Sequence, residues 1–332
     1  MKPLKLTTEV VVTPSTWKIN HDSKVVTCGS CFSEVLGSQL IDGKFPVLNN
    51  PFGTIFNPLT IAKVLELAIE GRSPDPALYF QDADGIWLHH DFHSSFWGIN
   101  RGEFELLLIS KLEEVGAFLK EANLLVITFG SAYAYRHRAS NLIIGNCHKV
   151  PSENFLKELL NQDQIIISFE RILFKLQSFN RQLRVLITVS PVRHTRDTLI
   201  LNQVSKATLR LISHRLSEKF KHVDYFPAYE IMMDELRDYR YYEADLIHPN
   251  RLAEGFIFNL FAHSFIEPVA LDLMKEWQTI RQMIHHKPLH GFTQSHLQFL
   301  KTIQSRLSGM SAAVDVSAEF NEVSRRIGEF RG

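Results

Sequence analysis

The chain is short of cysteine, with three in 332 residues. So small and odd a number excludes a disulfide scaffold and predicts free thiols in a cytoplasmic setting. Net charge is missing as well: Lys plus Arg and Asp plus Glu both total 36, for a formal charge of +0. With no global field, and no basic stretch interleaved with aromatics, nothing draws in a polyanion, so nucleic acid is not an expected partner. No stretch reaches the roughly 18 uninterrupted apolar residues of a membrane helix, so a membrane is not expected either. The opening MKPLKLTTEVVVTPSTW lacks an apolar h-region and a small-residue cleavage site, which argues against a secretory signal. Internal repeats and low-complexity tracts are absent too. What is present is 45% hydrophobic residues, enough for a sizeable core and far from the composition of disordered chains.

The apolar residues are arranged in alternating elements. EVVVTP (9–14) reads as a short β run and KVVTC (24–28) as a strand stopping at Gly29. Phe32, Val35, Leu36 and Leu40 then recur at helical spacing, so a helix is predicted from the GSC turn to Gly43. KFPVLNNPFGTIFNP (44–58) reads as a loop, with Asn57-Pro58 capping and opening the next helix. Residues 72–100 read as irregular, and a helix of mixed charge is predicted over about 103–121. NLLVITFG (123–130) and LRVLITVSP (183–191) are continuous apolar runs of strand length, as expected for strands buried on both faces of a parallel sheet. HVDYFPAY (222–229) is a weaker third run. Helical patterns lie over 152–180, 196–219, 228–238 and 249–265. The alternation predicts an α/β fold with a parallel sheet in a three-layer arrangement, residues 1–267. From 268 to 332 only helical patterns remain, interrupted at HHKPLHGF (285–292). They predict a helical C-terminal appendage, packed on the main domain or serving homo-oligomerisation.

In open parallel sheets, ligands sit beyond the carboxyl ends of the strands. The segments there are CGSCFS, FGSAYAYRH, SPVRHTRD and ADLIHPN. Asp245-Leu-Ile-His248 has the spacing that lets a carboxylate reach a histidine ring three residues on, fixing its tautomer as the acid of a catalytic triad does. A helix-capping Asp beside a solvated His is the bland alternative for this stretch taken alone. The GSC turn ends a strand and opens a helix, a place where the dipole and free N–H groups favour a thiolate or an oxyanion. The order nucleophile, acid, base is one of the known triad orders. Two other readings of the cysteines compete. Cys28 and Cys31 could form a redox C-x-x-C, although that leaves Asp245 and His248 unexplained. Cys28, Cys31, Cys147 and His148 match a zinc site in number and type, but adjacent Cys147 and His148 suit one ion poorly. His89, His90 and His93 invite a metal reading, for which a partly exposed aromatic loop is the simpler explanation. No metal and no cofactor are expected.

Taken together, GSCFSE (29–34), NPFGTIFNP (50–58), DFHSSF (91–96), FGSAYAYRH (129–137), GNCHKVP (145–151), TVSPVRHTRD (188–197), SKATLR (205–210), YFPAYEIM (225–232) and DLIHPN (245–250) resemble the GSCFA-domain family, a branch of the SGNH/GDSL hydrolase superfamily. They span roughly residues 22–265. The resemblance implies a flavodoxin-like α/β/α hydrolase domain acting on ester or acyl groups. Laid over GSC, the superfamily's nucleophile column falls on Cys31 and its aspartate column on Ser30; an offset of one residue makes Ser30 the nucleophile. Gly53 matches the glycine whose N–H joins the oxyanion hole, and Asp245 and His248 match the acid and base. In the third block Ala132 stands where the superfamily has an oxyanion-hole asparagine, with Ser131 or Asn57 as substitutes. Losing one such donor costs about two to three orders of magnitude in rate. His93 and Ser94 are expected at the site's rim. Arg136, Arg193 and Lys149 are candidates for an anionic or sugar substrate, against plain surface charge. The expected activity is hydrolysis of an O-acyl ester on a small molecule or carbohydrate. An acyltransferase of the same fold and a ligand-binding protein with an incomplete oxyanion hole are the alternatives.

Overall fold

The computed structural model describes residues 7–286, 288 and 293–329. The strands, in chain order, are β1 (Val25–Gly29), β2 (Val47–Asn49), β3 (Tyr79–Gln81), β4 (Trp87–His89), β5 (Leu124–Phe129), β6 (Tyr133–His137), β7 (Leu142–Ile144), β8 (Phe155–Leu159), β9 (Arg184–Val189) and β10 (Val223–Phe226). The main helices are α1 (Cys31–Asp42), α2 (Pro58–Glu70), α3 (Arg101–Glu121), α4 (Gln162–Phe179) and α5 (Thr198–Lys219), then the short α6 (Ala228–Glu230) and α7 (Arg251–Phe265). The tail holds α8 (Pro268–His285), α9 (Gln294–Met310) and α10 (Ser317–Glu329).

Five strands form a parallel sheet in the order β10-β9-β5-β1-β2. Every residue of β1 and β5 is buried, the expected consequence of covering a parallel sheet on both faces. Successive side chains point to opposite faces, and the core divides accordingly. Val26, Cys28, Leu125, Ile127, Val185 and Ile187 pack with α2 to α5 on one side. Val25, Leu124, Val126 and Leu186 pack with α1 and α7 on the other. The fold is therefore the three-layer α/β/α arrangement of the expectation.

Several local expectations are corrected. EVVVTP lies outside any strand; the Val10 N–H donates to the Glu235 carboxylate at 2.9 Å instead of joining a ladder. Within 44–58 the chain contributes β2, three residues paired with β1, too short to show a period. Residues 72–100 hold the antiparallel hairpin of β3 and β4. The helix expected over 152–180 starts only at Gln162, because a capping box between Asn161 and Gln164 fixes its start. Upstream, β8 pairs antiparallel with β6, which also pairs with β7 in a small second sheet. The 228–238 pattern is one helical turn followed by a π turn over Ile231–Glu235.

The tail helices share a cluster of their own around Ile280, Leu300, Ile303, Leu307 and Val323. They are tied to the end of α1 by the Trp277 Nε1–H, which donates to the Asp42 carbonyl at 2.8 Å, and by the Lys44–Glu319 ion pair at 2.7 Å. Within the expected break HHKPLHGF, residues 287 and 289–292 lie outside the described residues. Among the described residues, no helix is long and apolar enough to cross a membrane.

Candidate functional site at the carboxyl edge of the sheet

At the end of β1 the chain turns through Gly29, whose φ is +136°. A Cβ there would lie 2.1 Å from the Thr128 carbonyl oxygen of β5, so only glycine fits. The Ser30 N–H still donates to that carbonyl at 3.0 Å, and Cys31 is the first residue of α1. Ser30 takes the extended N-cap conformation, but its hydroxyl caps nothing and makes no hydrogen bond. It is fully buried, whereas Cys31 is partly exposed. Burial pushes the Cys31 thiol up; the Phe32 N–H, the Lys206 charge and the Cys31 N–H act against that rise. Those two amides are among the N–H groups that an α-helix leaves unpaired at its start.

The loop after β2 wraps this turn. Asn50 Oδ1 accepts from the Gly29 N–H at 3.0 Å, and the Ile55 N–H donates to the Gly29 carbonyl at 2.8 Å. Gly53 has φ +71°, and a Cβ on it would lie 2.3 Å from Cβ of His93. That close approach sets His93 at the loop's rim, where its Nδ1 faces the Ser95 hydroxyl at 3.1 Å. The Gly53 N–H donates to the Asn50 carbonyl at 2.7 Å, so in this conformation it closes a turn and is not a free oxyanion donor.

Other expected binders also have structural work. The Ser131 N–H and the Gly130 N–H both donate to the Phe56 carbonyl at 3.0 Å, and Ser131 Oγ accepts from the Tyr133 N–H at 3.0 Å. Asn57 is a buried helix cap: Oδ1 accepts from the Thr60 N–H and Nδ2 donates to the Ile144 carbonyl, each at 2.9 Å. Its Oδ1 and one of its two Nδ2 hydrogens are thereby engaged in the fold. Arg136 lies on β6 and grips Glu158 of β8 at 2.6 Å, with a further bond to the Asn141 carbonyl at 2.8 Å. It fastens the small sheet instead of presenting its guanidinium to a ligand.

Arg193 has a different part. Its N–H donates to the Ile247 carbonyl and its guanidinium to the Leu246 carbonyl, both at 3.1 Å, and it lies 5.3 Å from the Tyr242 ring centroid. It thus pins the DLIH turn to the loop following β9. Leu246 is held at φ +57°, a left-handed conformation costing an L-residue about 1–2 kcal/mol. In return Asp245 Oδ1 accepts from the N–H groups of Ile247 and His248 at 2.8 and 3.0 Å, and His248 Nδ1 meets Asp245 Oδ2 at 2.7 Å. An ionised carboxylate only accepts, so Nδ1 donates to it, and in the neutral form of the ring Nε2 is left as the acceptor. The hydrogen bond from His248, with those two amides, holds the Asp245 carboxyl down at about 2.

Two residues that sequence reasoning passed over stand at the same edge. Lys206 is fully buried, its Nζ donating to the carbonyls of Gly130 at 2.9 Å and Ser190 at 2.7 Å. Burial lowers its ammonium to about 7, and the neighbouring Cys31 acts in the opposite direction. The available signal was a lysine inside the buried stripe of α5, alongside Asn202, Ser205, Leu209 and Ile212. His194 lies edge-on to Phe56 at 5.3 Å, and burial, then the charges of Lys206 and His248, lower it to about 3. It is therefore a neutral imidazole at physiological pH.

The zinc set is not assembled. Cys28 belongs to the main core, its thiol pushed up by burial to about 12, while Cys147 packs beside Leu78, Ile144 and Phe155. Among the described residues, no group of three or more His, Cys, Asp or Glu side chains is placed to hold a metal ion. All three cysteines are free thiols.

Residues 24–261 match the GSCFA family, and residues 277–329 match the family described as GSCFA domain protein, C-terminal domain. No curated protein matches the chain. Among solved structures, similarity is found to a carbohydrate esterase family 3 protein from Talaromyces cellulolyticus, at 11% identity over 76% of this chain and 99% of that one, TM-score 0.34. A provisionally assigned acylhydrolase from Bacteroides fragilis NCTC 9343 aligns at 10% identity over 79% and 91%, TM-score 0.38. A family 3 carbohydrate esterase from Clostridium thermocellum aligns at 11% over 76% and 97%, TM-score 0.31.

Proposed function

The chain belongs to the GSCFA family, and from that premise we propose that it is an SGNH-type acyl-ester hydrolase with Cys31 as nucleophile, His248 as base and Asp245 as its orienting acid. The observation that carries this reading is the 2.7 Å Asp245–His248 hydrogen bond, because it leaves an acceptor nitrogen on a ring at the sheet's carboxyl edge. Cys31 is preferred to Ser30 because a substrate can reach a partly exposed thiol but not a fully buried hydroxyl.

In the acylation step, His248 Nε2 takes the Cys31 proton as Sγ forms a bond to the acyl carbon. The oxyanion is held by the N–H groups at the start of α1, and its collapse breaks the C–O bond as the alkoxide takes the proton from His248. Water, deprotonated by the same ring, then attacks the thioester and expels the Cys31 thiolate, which recovers the proton. Asp245 stays ionised throughout and stabilises the imidazolium. O-acylated carbohydrates are the substrate class to be assayed first.

A non-catalytic ligand-binding role is the second reading, supported by the engagement of the Gly53 and Ser131 amides with the carbonyls of Asn50 and Phe56. Aryl-acetate hydrolysis, paired with peptide mapping after an iodoacetamide-type probe and a fluorophosphonate, separates the two. The enzyme reading expects label on Cys31 and loss of hydrolysis in His248→Ala. Unlabelled Cys31, with no hydrolysis to lose, overturns the enzyme reading.

A further inference from the structure

Leu246 stands inside the DLIH turn with φ +57°, a conformation that glycine accepts freely and leucine does not. Backbone strain of this kind persists only where the surroundings impose it, and it gathers at functional sites. Most of what surrounds the turn is local. The Glu243 N–H donates to the His248 carbonyl at 2.8 Å, and the Leu246 N–H to the Glu243 carbonyl at 2.9 Å. The Asn250 N–H donates to the Tyr241 carbonyl at 2.9 Å. These bonds close a hairpin over 241–250 without attaching it to the sheet. Among the described residues, the hydrogen bonds that reach 244–248 from outside this hairpin all come from Arg193, in the loop following β9. Its N–H holds the Ile247 carbonyl and its guanidinium the Leu246 carbonyl, the oxygen of the strained residue itself, both at 3.1 Å. The guanidinium is in turn seated against two rings, with centroids at 5.3 Å for Tyr242 and 5.9 Å for Tyr239. A planar fork that is both stacked and hydrogen-bonded is fixed in a way that a lysine ammonium is not. The His248 and Asp245 side chains are 48% and 45% exposed, so burial contributes little to holding the pair.

We propose that Arg193 is a positioning residue for His248: it clamps the strained Leu246 backbone, and that backbone keeps the Asp245 carboxylate on Nδ1 of the ring. The left-handed turn brings the carboxylate back onto the N–H groups of Ile247 and His248 and onto the ring itself. Released from Arg193, Leu246 relaxes towards the conformations an L-residue prefers, and Asp245 Oδ2 loses the ring. The neutral imidazole then returns to its intrinsic preference for the proton on Nε2, the nitrogen that a base must keep free. The clamp also ties the base to the sheet whose β1 end carries the GSC turn, because Arg193 follows β9 of that sheet. The guanidinium thus serves the turn and not a substrate.

The inference rests on the reading of His248 as the base, but its first readout needs no substrate. Two-bond ¹H–¹⁵N correlation spectra of the neutral ring report its tautomer. Wild type is expected to carry the proton on Nδ1, and a ring protonated on Nε2 overturns the proposal at the outset. Arg193→Met keeps the main-chain bond to Ile247 and loses the side-chain bond to Leu246. In it the ratio of Nδ1–H to Nε2–H is expected to fall by about fivefold or more, the bias that the strain of one left-handed residue is worth. Adding Leu246→Gly, which takes φ +57° without strain, is expected to restore the ratio. An unmoved tautomer in folded Arg193→Met overturns the proposal, and so does a shift that Leu246→Gly leaves unrepaired. Should Arg193→Met not fold, Arg193→Gln decides by the same criterion, its amide being too short to reach the Leu246 carbonyl. Where aryl acetate is hydrolysed, Arg193→Met is expected to lose about 10²-fold in kcat with KM within about twofold, and an unchanged kcat refutes the role. No hydrolysis by the wild type, with the tautomer shift intact, removes the enzyme reading and leaves the clamp standing.

Discussion

Replacing Lys206 by methionine tests how the fold tolerates a buried ammonium. In the folded chain the group titrates at about 7, against about 10.4 for an unfolded lysine. Below about pH 7 both states hold the proton, and the folded state carries the full desolvation cost. Between about 7 and 10.4 the unfolded chain keeps the proton that the folded chain releases. By linkage, stability then rises with pH, and the cost is gone above the unfolded value. The gap of about 3.4 units is on the order of 5 kcal/mol, of which about 4 falls between roughly pH 6 and pH 10. Methionine removes this dependence but strips the donors from the Gly130 and Ser190 carbonyls, at about 1–3 kcal/mol each. The variant is therefore expected near wild-type stability at about pH 6 and several kcal/mol below it near pH 10, where neutral lysine still donates at no charge cost. Urea denaturation of both proteins across that range measures the difference, and subtraction cancels the titrating groups that do not feel the Lys206 charge. A difference constant within about 1 kcal/mol from pH 6 to pH 10 would refute the reasoning.

Gly29→Ala combines a forbidden φ with a Cβ 2.1 Å from a backbone oxygen of the neighbouring strand. It is expected to cost several kcal/mol, on the order of the strain and overpacking contributions together, read as a lower urea midpoint; a change under about 1 kcal/mol would show the turn to be adaptable. Asp245→Asn keeps the shape but offers an amide to His248 Nδ1. It is expected to lower kcat for aryl-acetate hydrolysis by about 10²- to 10⁴-fold with KM little changed. Because the Asp245 carboxyl is held near 2, the acid limb of the wild-type rate profile is expected to lie well above that pH, and a limb near 2 would overturn the assignment.

What the amino-acid sequence settled by itself was local. Continuous apolar runs announced β5 and β9, because a strand buried on both faces has no polar side to show. The three-residue spacing of Asp245 and His248 was legible because the carboxylate-to-ring contact spans a single turn of chain. Gly29 and Cys31 were legible as a strand-to-helix turn for the same reason, and the pattern of motifs marked the family. Tertiary structure decided what depends on segments distant in the chain. Whether the amides of Gly53 and Ser131 are free depends on which carbonyls face them, and for Ser131 that carbonyl belongs to Phe56. Arg136 and Arg193 look alike in sequence, yet one fastens a small sheet through Glu158 and the other seats the DLIH turn. Lys206 bonds to a carbonyl 76 residues away, and its lowered ionisation comes from desolvation by everything packed around it. Burial is a property of the assembled layers, which no spacing along one segment encodes.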